Sequence, residues 1–140
     1  MRRVGVLYTG GTIGMVPGAD GLRPDTNFET TFRAAFNGSG FAWFETPVLL
    51  DSSVMDRTDW LALGTQVRQI AAECDAVVVL HGTDTMAYSA SALSLLLLDL
   101  DVPVVFTGSQ RPLGQEGSDA LANVKLALRV AETTPRGEVL

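Results

Sequence analysis

The sequence predicts an α/β domain built on an open, mostly parallel sheet with helices on both faces. Residues 76–80 and 102–106 are short apolar runs, the pattern of strands buried on both sides of a parallel sheet. Segments of helical apolar spacing alternate with these runs, which is the order of a β-α-β chain. The chain has 140 residues, 46% of them apolar, a size that supports one core and falls short of two ordinary ones.

The elements follow in order. Residues 4–8 form a β-branched and apolar run that ends at a glycine pair, so a first buried strand leads into a tight loop. Between residues 10 and 25 there are five glycines, two prolines and no apolar periodicity, which predicts a mobile segment or one moulded around a ligand. Asn27 caps a short helix over 28–36 that stops at Asn37-Gly38. Residues 41–50 are rich in aromatic and apolar side chains and predict a second strand. Thr58 is placed to cap a helix running to about Glu73, with Leu61, Val67 and Ile70 on its inner face. A strand over 76–80, a helix over 86–98, a strand over 102–106 and a helix over 118–132 follow. Glu138-Val139-Leu140 opens one more strand, so residues 1–140 are expected to form an N-terminal domain cut short at its end.

Composition narrows the function. Sixteen acidic residues against ten basic give a net charge of −6, which argues against a surface that tracks nucleic-acid phosphates. Cys74 and His81 are the single cysteine and the single histidine, too few for an internal disulfide or a His/Cys zinc site. The longest apolar run, 90–98, is interrupted by Ser91 and Ser94 and is far below the roughly 20 residues of a membrane span. The basic start Met1-Arg2-Arg3 meets Thr9-Gly10-Gly11-Thr12 before a signal-peptide core can form, and a reducing cytoplasmic setting is expected.

Parallel α/β sheets bind ligands outside the carboxyl ends of their strands. Four polar loops fall there: 9–12, 51–53, 81–85 and 107–110, all bearing hydroxyls. Gly10-Gly11-Thr12-Ile13-Gly14 departs from the dinucleotide fingerprint, the sole lysine, Lys125, belongs to no phosphate-binding loop, and no G-x-S-x-G elbow occurs. What remains is a set of small hydroxyls with one carboxylate, Asp84. A threonine hydroxyl attacks a carbonyl only when an adjacent group activates it. Glycines at 10, 11, 82 and 108 let a substrate approach backbone N–H groups closely. Taken singly, each loop is as well explained by turn and cap chemistry. His81, directly after a buried strand, fits a structural hydrogen-bonding role better than that of a base. Met55, Met86 and Tyr88 are expected in the core or the pocket wall.

Tyr8-Thr9-Gly10-Gly11-Thr12-Ile13-Gly14-Met15 and Val79-Leu80-His81-Gly82-Thr83-Asp84-Thr85-Met86-Ala87-Tyr88 resemble the two signatures of the bacterial-type L-asparaginases. Leu50-Asp51-Ser52-Ser53 and Val105-Phe106-Thr107-Gly108-Ser109-Gln110-Arg111-Pro112 resemble the cytoplasmic type I branch, and the likeness runs in order along essentially all of the chain. The resemblance implies a larger N-terminal α/β domain, with the family's smaller C-terminal domain outside these 140 residues. It also implies homodimers or homotetramers of the whole protein and no cofactor or metal. Thr12 is implied as the nucleophile that attacks the side-chain amide of L-asparagine, or of L-glutamine, and forms an acyl-enzyme. Thr83 and Asp84 match two members of a second Thr-Lys-Asp cluster, with Asp84 on the substrate's α-ammonium and Ser52 and Ser53 on its α-carboxylate. Ser109 matches the position whose backbone carbonyl accepts from the substrate amide.

Two positions depart from the family pattern. Leu22 stands where the family's lid carries a tyrosine, and the lysine of the second cluster falls beyond residue 140, unmatched by Lys125. Two other readings therefore stay open: a catalytically inactive amino-acid-binding module, and the asparaginase-like component of a tRNA-dependent amidotransferase.

Overall fold

A computed structural model describes residues 2–140. β1 (Val4–Tyr8), β4 (Phe41–Glu45), β5 (Ala76–Leu80) and β6 (Val104–Thr107) make one parallel sheet in the order β4-β1-β5-β6. Between β1 and β4 lie β2 (Met15–Gly18), β3 (Gly21–Pro24) and helix α1 (Phe28–Ala35). Helices α2 (Arg57–Ala71), α3 (Met86–Leu96) and α4 (Ala120–Thr133) complete the chain. Val139 bridges Val104 in parallel, so the expected further strand does begin beside β6.

Alternation along each strand sorts the core into two layers, because successive strand side chains face opposite ways. Val4, Val6, Tyr8, Val78 and Leu80 pack with Phe28 and Phe32 of α1 and Val124 and Ala127 of α4. Leu7, Val77, Val79 and Val104 pack with Leu63, Val67 and Ile70 of α2 and Leu93 of α3. Helices thus cover both faces, as the sequence predicts. Full burial of each such Val or Leu contributes roughly 1.5–3 kcal/mol.

Local differences from the sequence reading have physical causes. The segment 10–25 holds a short helical turn, Thr12–Gly14, and an antiparallel β2–β3 hairpin, so it is regular where an irregular loop was expected. Gly21, at φ 122°, supplies the backbone conformation of the reversal. Strand β4 ends at Glu45 instead of 50, since Pro47 offers no N–H to a ladder and the Thr46 hydroxyl turns to the Val48 carbonyl. Asp56, not Thr58, caps α2: its carboxylate accepts from Thr58 and Asp59 amides while Asp59 reaches back to the Asp56 amide. At α1, Asn27 holds the cap position but Asp25 does the bonding, accepting from the Asn27 amide and the Thr31 hydroxyl. Strand β6 starts at Val104, after Pro103, and helices α1 to α3 end one or two residues early. Tyr88 is 69% exposed and does not belong to the core. Among the described residues, no helix is long and apolar enough to cross a membrane.

Candidate active site

The chain leaves β1 for β4 on one side and returns through α2 to β5 on the other, so the strand order reverses between β1 and β5. A crevice opens at such a reversal, outside the carboxyl ends of the strands. All four hydroxyl-bearing loops lie at that edge and are stitched together by backbone. Thr9 donates both its amide and its hydroxyl to the Leu80 carbonyl at 3.0 and 2.9 Å. The Leu50 amide donates to Thr9 at 2.7 Å, and the His81 amide to Thr107 at 2.9 Å.

Two glycines bring the loops into contact. Gly11 has φ 89°, and a β-carbon there would stand 2.6 Å from the Gly82 α-carbon. A β-carbon on Gly82 would stand 2.4 Å from the Ser52 Oγ. Three loops therefore touch backbone to backbone or backbone to hydroxyl, closer than any side chain at those positions permits. Thr12, Thr83 and Ser53 each follow directly on one of these contact points. The fourth loop joins through Gly108, whose missing β-carbon would meet the His81 carbonyl at 2.3 Å and the Thr83 methyl at 3.6 Å. Ser109 is the next residue.

Thr12 opens the turn that follows Gly11 and is half-buried. The turn is anchored from behind, since Ile13 is buried and its carbonyl accepts from the Leu113 amide at 3.0 Å. Thr83 is half-buried, and Asp84 is exposed. Among the described residues, neither threonine hydroxyl nor the Asp84 carboxylate has a hydrogen-bond partner within the chain, so these groups are free for a ligand. The Thr85, Ser53 and Ser109 hydroxyls at the edge are engaged. Thr85 donates to the Ser52 carbonyl at 2.7 Å. Ser53 donates its hydroxyl and its amide to Asp51 at 2.7 and 2.9 Å, which holds the Asp51 carboxyl below its usual range. Ser52 is buried beneath Gly82. The Ser109 hydroxyl donates to the Arg111 carbonyl.

His81 is buried, with Nδ1 2.7 Å from the Gly82 carbonyl and its ring edge-on to Phe106. Burial pushes its pKa down, outweighing the carbonyl bond that raises it. The imidazole is thus neutral, with Nδ1 donating and Nε2 buried without a partner. That is the structural role its position after a buried strand suggests. Beneath the Thr12 turn, Tyr8 is pushed up to about 12 by burial first and by Glu45 and Asp25 next, so it stays protonated.

The structure gathers Thr12, Ser52, Ser53, Thr83, Asp84 and Ser109 at one edge. Sequence reasoning gave no role to Asp51, which braces Ser53 within its own loop, and missed Asp119 and Asn123, which hold residues 108–111 from α4. The one signal for Asp119 in the sequence is Asn123, four residues later on a mostly apolar helix. Leu22 lies on β3, 51% exposed, in a groove with Pro17, Pro112 and Gln115.

Residues 3–140 match the family model for the N-terminal domain of asparaginase. L-asparaginase 1 of Escherichia coli strain K12 is 40% identical over 144 residues, covering 99% of this chain and 43% of its own length. A glutamyl-tRNA(Gln) amidotransferase component of Thermoplasma acidophilum is 36% identical over 135 residues, 94% of this chain and 33% of its own. The crystal structure of L-asparaginase I from Vibrio cholerae superposes with a TM-score of 0.86 at 37% identity, covering 99% of this chain and 43% of that one. The chain thus spans less than half the length of these relatives.

Proposed function

The chain belongs to the asparaginase family, matching its N-terminal domain, and from that premise we propose that residues 1–140 form the nucleophile-bearing domain of an L-asparagine amidohydrolase. The observation that carries this reading is the glycine-locked contact of the loops bearing Thr12 and Thr83, with both hydroxyls uncommitted. Thr12 Oγ attacks the side-chain amide carbon as its proton passes to a base. The C–N bond breaks, ammonia leaves with a proton, and an ester to Thr12 remains. Water hydrolyses that ester, releasing L-aspartate and restoring Thr12. The base belongs to the second cluster, to which this chain contributes Thr83 and Asp84 and the family's sequence beyond the position of residue 140 contributes the lysine.

The substrate is a zwitterion, and both charges must be met in a closing pocket. Asp84 takes the α-ammonium. Ser52 and Ser53 take the α-carboxylate, for which Ser53 must turn its single O–H away from Asp51. The Ser109 carbonyl accepts from the amide. The hairpin β2–β3 closes over the bound substrate and keeps water off until the ester forms. The whole protein works as a homodimer or homotetramer in the cytoplasm, on L-asparagine with L-glutamine as the alternative substrate.

An ammonia-release assay tests this. The full-length protein is expected to release ammonia from free L-asparagine, and residues 1–140 alone to release none. Robust turnover by the isolated domain would show that no distal group is needed. The likeness to the amidotransferase component supports a second reading, in which ammonia is delivered to a tRNA-bound substrate. Failure to hydrolyse free asparagine without a tRNA partner would favour it.

A further inference from the structure

We propose that Asp119 and Asn123 of α4 are positioning residues that aim the peptide groups of Ser109 away from the helix and toward the site. The inference rests on the asparaginase reading and names residues that reading does not use.

Asp119 occupies the N-cap of α4, yet its carboxylate makes no cap bond. The Ala120 amide takes the Ser118 hydroxyl instead. Both Asp119 oxygens accept from the Gln110 amide at 3.1 Å, and Oδ1 accepts from Arg111 at 3.3 Å. One turn along, the Asn123 side-chain amide donates to the Gly108 carbonyl at 3.0 Å and to Asp119 Oδ2 at 2.9 Å. An amide nitrogen carries two hydrogens, so both bonds are made together. These backbone bonds hold the Asp119 carboxyl below its usual range, and it stays ionised.

The consequence follows from peptide planarity. Every described peptide bond is trans, and in a trans unit the C=O and N–H point in opposite directions. With the Gly108 carbonyl pinned to Asn123, the Ser109 N–H of the same peptide points away from α4. With the Gln110 N–H pinned to Asp119, the Ser109 carbonyl likewise points away. Both peptides flanking the Ser109 α-carbon are fixed from one side, while Gly108 seats the loop on the His81 carbonyl and Thr83. A rigid acceptor for the substrate amide is the result, and its aim matters more than its existence. Misplacing a reacting group by about 1 Å lowers rate by as much as 10²-fold.

The test uses full-length protein with Asn123→Leu, which keeps bulk and removes both donors, and with Asp119→Asn, which keeps shape and one acceptor. For Asn123→Leu, kcat/KM on L-asparagine is expected to fall about 10- to 100-fold, mostly in kcat. Asp119→Asn should fall between that variant and wild type. L-Aspartate lacks the amide and should inhibit both variants within about threefold of wild type. A destabilised core control, Ile70→Val, should leave kcat unchanged. Unchanged kcat/KM in both variants of an active enzyme would overturn the positioning role alone. So would parallel weakening of asparagine and aspartate, the mark of a collapsed site. If Asn123→Leu does not fold, Asp119→Asn decides by the same readouts. A wild-type protein that neither turns over asparagine nor binds aspartate would overturn the asparaginase reading as well.

Discussion

The 9–12 loop at the β1/β5 crevice and the β2–β3 hairpin follow one another after the carboxyl end of β1, yet the crevice loops and the hairpin are held by opposite means. The crevice loops are locked where α-carbons and carbonyls touch, with Gly11 and Gly82 leaving no room for a β-carbon. The hairpin is packed on one strand only: Met15, Val16 and Gly18 of β2 are half-buried, whereas all four residues of β3 are exposed and Gly21 has open space around it. One region fixes where Thr12 sits; the other has the exposure that the proposed closure over the substrate needs. The contrast separates two demands on glycine, since Gly11 and Gly21 both have positive φ but only Gly11 is crowded.

Breaking the lock should have the largest effect. Gly11→Ala combines backbone strain with a collision against Gly82 and should lower unfolding stability by about 2–4 kcal/mol in urea titrations. Gly21→Ala meets no neighbour and should lower it by about 1 kcal/mol. Equal losses would show that the loops are not interlocked. Next in size, Asp84→Ala leaves the substrate's ammonium unpaired and should weaken L-aspartate binding in the full-length protein at least about tenfold by calorimetry. Unchanged affinity would remove Asp84 from the site. In limited proteolysis, the 18–21 turn should be cut before the 9–12 and 81–85 loops, and L-aspartate should slow that cut alone. Uniform cleavage would contradict a hinged hairpin.

The smallest effect concerns pH. His81 has a depressed pKa in the folded state, so below about 6.5 the unfolded chain takes up a proton that the folded chain refuses. Its neutral form therefore favours the fold above that pH, and the advantage shrinks as pH falls toward the folded pKa, by at most about 1.4 kcal/mol per pH unit. Replacing it, as in His81→Gln, should flatten the stability profile below about pH 6.5. An unchanged slope would place the acid sensitivity in other groups.

Much of the fold was legible because burial writes itself into sequence. The apolar run Ala76–Leu80 sits in the centre of the sheet, where a strand buried on both faces belongs. Boundaries were less legible where two residues compete for one role, as Asp56 and Thr58 do at the start of α2. The hairpin was hidden because its strands are short and mostly exposed, so no apolar alternation marks them. At the site, hydroxyls clustered at strand ends were visible, and the chemical roles came from resemblance to a family. The interlock of Gly11 with Gly82, and of Gly82 with Ser52, was not legible, because each is a contact through space between residues far apart in the chain. The role of Asp119 was hidden for the same reason: its partners Gln110 and Arg111 precede the helix it begins.

The central claim is that Thr12, held by this lock, is the nucleophile. It is tested most directly by measuring ammonia release and L-aspartate binding side by side for the full-length protein and its Thr12→Ala variant. Turnover is expected to fall on the order of 10³-fold or more, with aspartate still bound, because the lock and the charge-binding groups are untouched. Turnover that survives Thr12→Ala would contradict the account.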